Sequence, residues 1–119
     1  MTAFRTLLVV LFVCICGYTL IVISEQGLGL FPIYFGDIAT LGWPGQFNLD
    51  FLGFLILSGL WLAWRHHFSA GGIALGVLGL FGGMPVLTTY LFIASLRARG
   101  NVAELMLGPV RARSTRPTG

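Results

Sequence analysis

The sequence contains no lysine, and only 9% of its 119 residues carry charge. Beside that shortage stand 56% apolar residues and a mean hydropathy of +0.90, which excludes an ordinary water-soluble composition. The positive charge is all arginine: seven arginines against four acids leave a net +3. Arg111, Arg113 and Arg116 fall within the last nine residues. They make residues 101–119 a basic, flexible tail rather than a nucleic-acid-binding surface. Residues 1–100 are read as one transmembrane domain.

Cysteine is equally scarce. Cys14 and Cys16 lie in an apolar run, and residues two apart on a helix point about 200° away from each other, so they cannot bridge. With no third cysteine, a thiolate metal site cannot be completed. The only histidines, His66 and His67, are adjacent and diverge at a helix end, and no other histidine can oppose them across a haem or metal. A nucleophile elbow, a phosphate loop and paired catalytic carboxylates are also missing. No catalytic residue, metal or cofactor is therefore assigned on motif grounds.

What the chain does have is long apolar runs. A bilayer core of ~30 Å asks for about twenty apolar residues per helix. Residues 6–23, 48–64 and 72–96 meet that need, the second with help from interfacial Asn48, Asp50, Trp61 and Trp64. The first run is longer than the ~7 to 15 apolar residues of a removable signal and is read as a retained span. The expected fold is all-α, with three transmembrane helices. An interfacial loop, residues 24–46, lies between the first and second, since Gly- and Pro-rich backbone is not tolerated against lipid. Pro32 suits the first turn of a short interfacial helix ending near Leu41. The connection "RHHFSAG" is so short that the second and third spans must be antiparallel neighbours. After Leu96, a surface-lying turn is expected near residues 102–107.

Three crossings would bring Glu25, Asp37, Asp50, Arg97 and Arg99 to one rim, and Arg5, Arg65, His66 and His67 to the other. Asp50 and Arg65 stand fifteen residues apart on one helix, about 22 Å, so Arg97 or Arg99 is the reachable partner of Asp50. Gly53, Phe54, Leu57, Trp61 and Trp64 share the Asp50 face, which is expected to turn toward the other helices. Ser58 flanks that face and can bond back to a backbone carbonyl.

The clearest pattern is Gly72, Gly76, Gly79 and Gly83, a stripe of small residues at intervals of four, three and four. Such a stripe lets a neighbouring backbone approach closely. It serves either packing within the chain or a seam for a partner subunit, and both stay open at this point. Pro85 removes a helical hydrogen bond, frees the Phe81 carbonyl and is expected to kink the third span.

"FNLDF" at the entry to the second span, the turn "RHH", and "GGMPVLTTYLFIASLR" with its Gly-x-Pro and terminal arginine form a recognisable order. Over residues 47–99 it resembles small bacterial three-helix membrane proteins grouped as a domain of unknown function. The resemblance implies a fold but no chemistry.

The expected role is that of a small integral protein of the plasma (inner) membrane without a catalytic site. It would be an accessory or assembly subunit of a membrane complex, or a small homo-oligomer. Its partners would be the lipid bilayer and other membrane subunits or itself, with no nucleic acid and no cofactor. The alternative is a membrane enzyme or carrier for a hydrophobic or isoprenoid-like substrate, using Asp50 and Glu25. Two arginines on the N-terminal side against five on the C-terminal side suggest a cytoplasmic C-terminus.

Overall fold

The computed structural model describes residues 1–114, and all regular structure among them is helical. The elements are α1 (Thr2–Gln26), α2 (Leu30–Ala39), α3 (Trp43–Arg65), α4 (Ala70–Gly82), α5 (Met84–Arg97), α6 (Val102–Leu107) and α7 (Pro109–Ser114). Of these, α1 and α3 are long and apolar enough to cross a membrane. Their 25 and 23 residues extend roughly 35 Å at ~1.5 Å per residue. Only 6% and 11% of their most apolar stretches are buried inside the chain. They are thus unlike the central helix of a water-soluble domain, whose apolar stripe is covered by neighbours.

Helix α2 forms within the loop, with Pro32 in its first turn. It packs on α3 through a reciprocal pair: the Tyr34 hydroxyl donates to the Asn48 carbonyl, and Asn48 Nδ2 donates to the Tyr34 carbonyl at 3.1 Å. Gly45 is buried directly against the Asp37 carbonyl, where no side chain would fit.

The third expected span is not a single helix. Residues 72–96 are divided between α4 and α5, of 13 and 14 residues, which fold back on each other as a hairpin. Two features cause the break. Gly83 has φ 63° and ψ −142°, a conformation open to glycine and strained for any other residue. Pro85 then sits in the first turn of α5, where its missing N–H costs nothing. The reversal is visible in Tyr90, whose hydroxyl meets Arg65 and His66 at the end where α4 began.

Between α3 and α4 the chain turns through His67 and Phe68, both at positive φ. Ser69 caps α4 by accepting from the Gly72 N–H at 3.1 Å. The two helices are antiparallel neighbours, as the short connection requires. Gly76 and Gly79 are buried against α3, and Gly72 against His66 in the connection. A Cβ on Gly76 would lie 2.6 Å from the Gly59 carbonyl oxygen, and a Cβ on Gly59 would lie 2.7 Å from that of Gly76. Backbone meets backbone, so of the two uses open to the stripe, packing within the chain is the one realised. Gly83 leaves the stripe and serves the turn instead.

This contact also decides which face of α3 is buried. Gly59, Leu62 and Ala63 turn inward, whereas Asp50, Gly53, Phe54 and Leu57 are exposed. The inward orientation expected for the Asp50 face is overturned over residues 50–57, because small residues permit an approach that aromatic ones prevent, whereas Trp61 and Trp64 at the far end of the same face are half-buried and meet Tyr90 and Arg111.

Helix α1 packs on α5 in antiparallel fashion. Arg5 Nε donates to Ser95 Oγ and Nη2 to the Ser95 carbonyl, both at 3.0 Å. Further along, Leu8, Val9 and Phe12 face Thr88, Thr89, Phe92 and Ile93 across an apolar cleft of about 200 Å³. Met1 and Phe4 join a small core of Ala94, Ala98 and Leu105. The start of α1 is therefore a neighbour of the end of α5 and of α6. Residues 102–107 form the expected short helix, and 109–114 form another in place of a loose tail. The rest of that tail lies outside the described residues.

Candidate functional site

The most elaborate polar cluster is built on Arg65. Its side chain is 9% exposed, although it closes a helix whose other faces are largely open. Guanidinium offers five N–H donors in a rigid fork. Nε donates to the Leu105 carbonyl at 2.8 Å, Nη2 to the Glu104 carbonyl at 3.1 Å, and Nη1 to the Tyr90 hydroxyl at 2.7 Å. Trp61 Nε1 donates to the Met106 carbonyl at 3.0 Å. The three carbonyls belong to the last turn of α6, at the negative end of the helix dipole, and that of Glu104 also accepts from the Gly108 N–H at 2.9 Å. A cation thus closes that helix terminus without any carboxylate.

The capping is reciprocal. Arg111 of α7 donates to the Trp64 carbonyl in the last turn of α3, and its guanidinium carbon stands 3.9 Å above the Trp64 ring. Between α6 and α7, Gly108 has φ 87° and lies against the Arg65 backbone, where a Cβ would come within 3.2 Å of the carbonyl oxygen. Tyr90 ties the cluster to α5. Its ring meets Trp61 edge-on at 5.9 Å, and its hydroxyl lies 2.6 Å from His66 Nε2. Arg65 donates to that oxygen, and the direction of the Tyr90–His66 hydrogen bond is set by the imidazole tautomer. Burial, with the positive charges of Arg65 and His67, pushes the His66 pKa below its ordinary value.

The rim expected from three crossings is divided by the hairpin. Glu25, Asp37 and Asp50 belong to the last turn of α1, to α2 and to the first half of α3. Arg97 and Arg99 follow Tyr90 and Ser95 back to the Arg65 end. Asp50 and Glu25 are exposed, and no arginine of the described residues pairs with either. The pairing of Asp50 with Arg97 is thus replaced by separation, because α5 runs in the opposite direction to the one a single span would take. The arginine end now gathers Arg5, Arg65, Arg97, Arg99, Arg111 and Arg113, with Glu104 as its acid.

Two apolar clefts flank the fold. One lies between α1 and α5, and the other, about 300 Å³, is bordered by Leu57, Leu60, Trp61, Trp64 and Phe68. Neither has an acid in its wall. Among the described residues, no group of three His, Cys, Asp or Glu side chains could hold a metal ion.

Sequence reasoning missed Gly59, Tyr90, Ser95 and Gly108. Gly59 had a usable signal, since Gly59 and Ala63 repeat small residues four apart and match the stripe on α4. The others depend on the reversal at Gly83, which no local pattern fixes in direction. No family model, no curated protein and no solved structure matches the chain, and the resemblance to small three-helix membrane proteins rests on the quoted residues alone.

Proposed function

We propose that the protein acts by packing rather than by chemistry, as an accessory or assembly subunit of a plasma-membrane complex. In this reading α1 and α3 span the bilayer and the α4–α5 hairpin enters from the arginine end without crossing. Arginine-rich segments are retained on the cytoplasmic side, which gives the arginine end, with the start of α1 and with α6 and α7, a cytoplasmic position.

The observation that carries the reading is the outer half of α1. Every residue from 17 to 26 is exposed, whereas the inner half lies on α5. Gly17 has no atom of another element within 4 Å of the place a Cβ would occupy, and Tyr18 beside it is 69% exposed. A glycine next to an exposed aromatic in a free helix half offers close approach to a helix from another subunit. The polar side chains of Arg5, Arg65, Trp61, Tyr34 and Asn48 are meanwhile committed to backbone carbonyls of the fold. A second copy of the chain is a weaker candidate for the partner, since the glycine stripe that would form its seam is already used by α3.

Purification in mild detergent, with mass determination and identification of companions, tests the proposal. The expected result is a heteromeric assembly, from which Gly17→Leu displaces the partner without lowering the thermal stability of the isolated protein. A monomer with no companion overturns it.

A further inference from the structure

Helices α6 and α7 leave an apolar face uncovered beside concentrated positive charge. Val102 and Met106, one turn apart on α6, are 63% and 48% exposed, and Val110 on α7 is 58% exposed. On the same helices Leu105, beside Val102 on α6, and Ala112, about 200° from Val110 on α7, are buried. Arg97, Arg99 and Arg113 are exposed around them. Arg65, Trp61 and Arg111 fix both helices to the last turn of α3. That turn carries Trp61 and Trp64, residues suited to the headgroup level where a span leaves the hydrocarbon.

We propose that α6 and α7 form an interfacial element that docks on an anionic lipid leaflet. Val102, Met106 and Val110 enter the boundary between headgroups and acyl chains. Arg97, Arg99 and Arg113 meet lipid phosphates. An apolar face rimmed by arginines has the character of a surface-lying amphipathic helix, and the excess of six described arginines over one acid at this end complements a leaflet of negative charge. Arg65 supplies the depth: by closing α6 against α3 it holds the short helices at the level of the headgroups, which helices of six residues would not keep on their own. The inference rests on α1 and α3 spanning the bilayer.

The test uses the full chain in a Cys14→Ala, Cys16→Ala background, reconstituted in nanodiscs of phosphatidylcholine alone or mixed with phosphatidylglycerol. A bimane fluorophore is placed at Met106→Cys, and in a separate sample at Leu60→Cys on α3. Both are read by quenching from spin-labelled lipid. Quenching at position 106 is expected with the anionic lipid and weaker without it. Each arginine near an anionic surface is worth about fivefold in partitioning, so the combined Arg99→Gln and Arg113→Gln change should lower the preference for the anionic lipid about 25-fold and leave the share of Arg97. Quenching at position 60 with none at 106 overturns the docking of α6 and α7 and leaves the spanning reading intact. Equal quenching at 106 in both lipids overturns the selection of an anionic leaflet. Absence of quenching at both positions overturns the spanning reading together with the docking.

Discussion

Replacing Gly76 by alanine adds one methyl group at the closest approach of α3 and α4. The new Cβ would lie 2.6 Å from the Gly59 carbonyl oxygen and 3.3 Å from the Ala63 Cβ. Carbon and carbonyl oxygen rest at roughly 3.3–3.6 Å in close helix contacts, so the helices must part by about 0.7–1 Å. A gap of ~0.5–1 Å forfeits about a quarter to a half of the dispersion attraction between facing atoms. Overpacking of this kind costs about 1–3 kcal/mol, and the better helix propensity of alanine returns up to ~1 kcal/mol. A net loss of about 1–2 kcal/mol corresponds to a fall in Tm of roughly 4–15 °C for a chain of this size. Gly71→Ala, on the same helix but with open space around it, is the control and should raise stability slightly. Fluorescence-detected size exclusion after heating in detergent reads both. If Gly76→Ala melts at or above the wild-type temperature together with Gly71→Ala, the backbone contact between α3 and α4 is refuted. Gly79→Ala should fall between them, since its Cβ would meet the Leu62 side chain at 2.6 Å rather than backbone.

Spin labels at positions 70 and 97 should report a separation well below the ~40 Å that twenty-seven residues of continuous helix would span; a distance near that value would restore a single third span. Arg65→Gln removes hydrogen bonds from a charged donor, each worth about 1.5–3 kcal/mol, and should release α6 and α7 to trypsin at Arg111 and Arg113, whereas wild-type protein is cut slowly there. For His66 the folded-state pKa is depressed, so the unfolded chain binds more protons below its ordinary value of ~6.5 and stability falls as pH drops through that value toward the folded pKa. Melting curves should show that fall, and it should be absent in His66→Gln but kept in His67→Gln. Asp50→Asn should leave Tm unchanged, because the carboxylate is exposed and unpaired among the described residues; loss of cellular function without loss of stability would favour a chemical role for Asp50.

Helix positions were legible wherever apolar length or turn chemistry acts locally. The runs that became α1 and α3, the short helix inside the loop, the tight turn at "RHHFSAG" and the turn at residues 102–107 all follow from residues within a few positions of one another. The stripe of Gly72, Gly76 and Gly79 announced close packing but not its partner, because spacing on one helix is silent about the opposing surface. Gly83 was legible as a small residue and not as a reversal. Its role depends on a positive φ that is used only because Tyr90 finds Arg65 and His66 on the way back. The separation of Asp50 from Arg97 follows from that single point, since a chain that turns back at Gly83 carries every later charge to the Arg65 end of the fold.

The bond between Arg5 and Ser95 joins residues ninety positions apart. Helix α1 is made well before α5, so its packing surface forms late. On the reading that α1 spans the bilayer, it rests in lipid without that neighbour during synthesis, which its mean hydropathy of 2.8 over the most apolar stretch suits. Shortening the chain anywhere before residue 95 would leave α1 without the Ser95 contact of its neighbour, and would turn an assembled protein into a set of parts still waiting for one another.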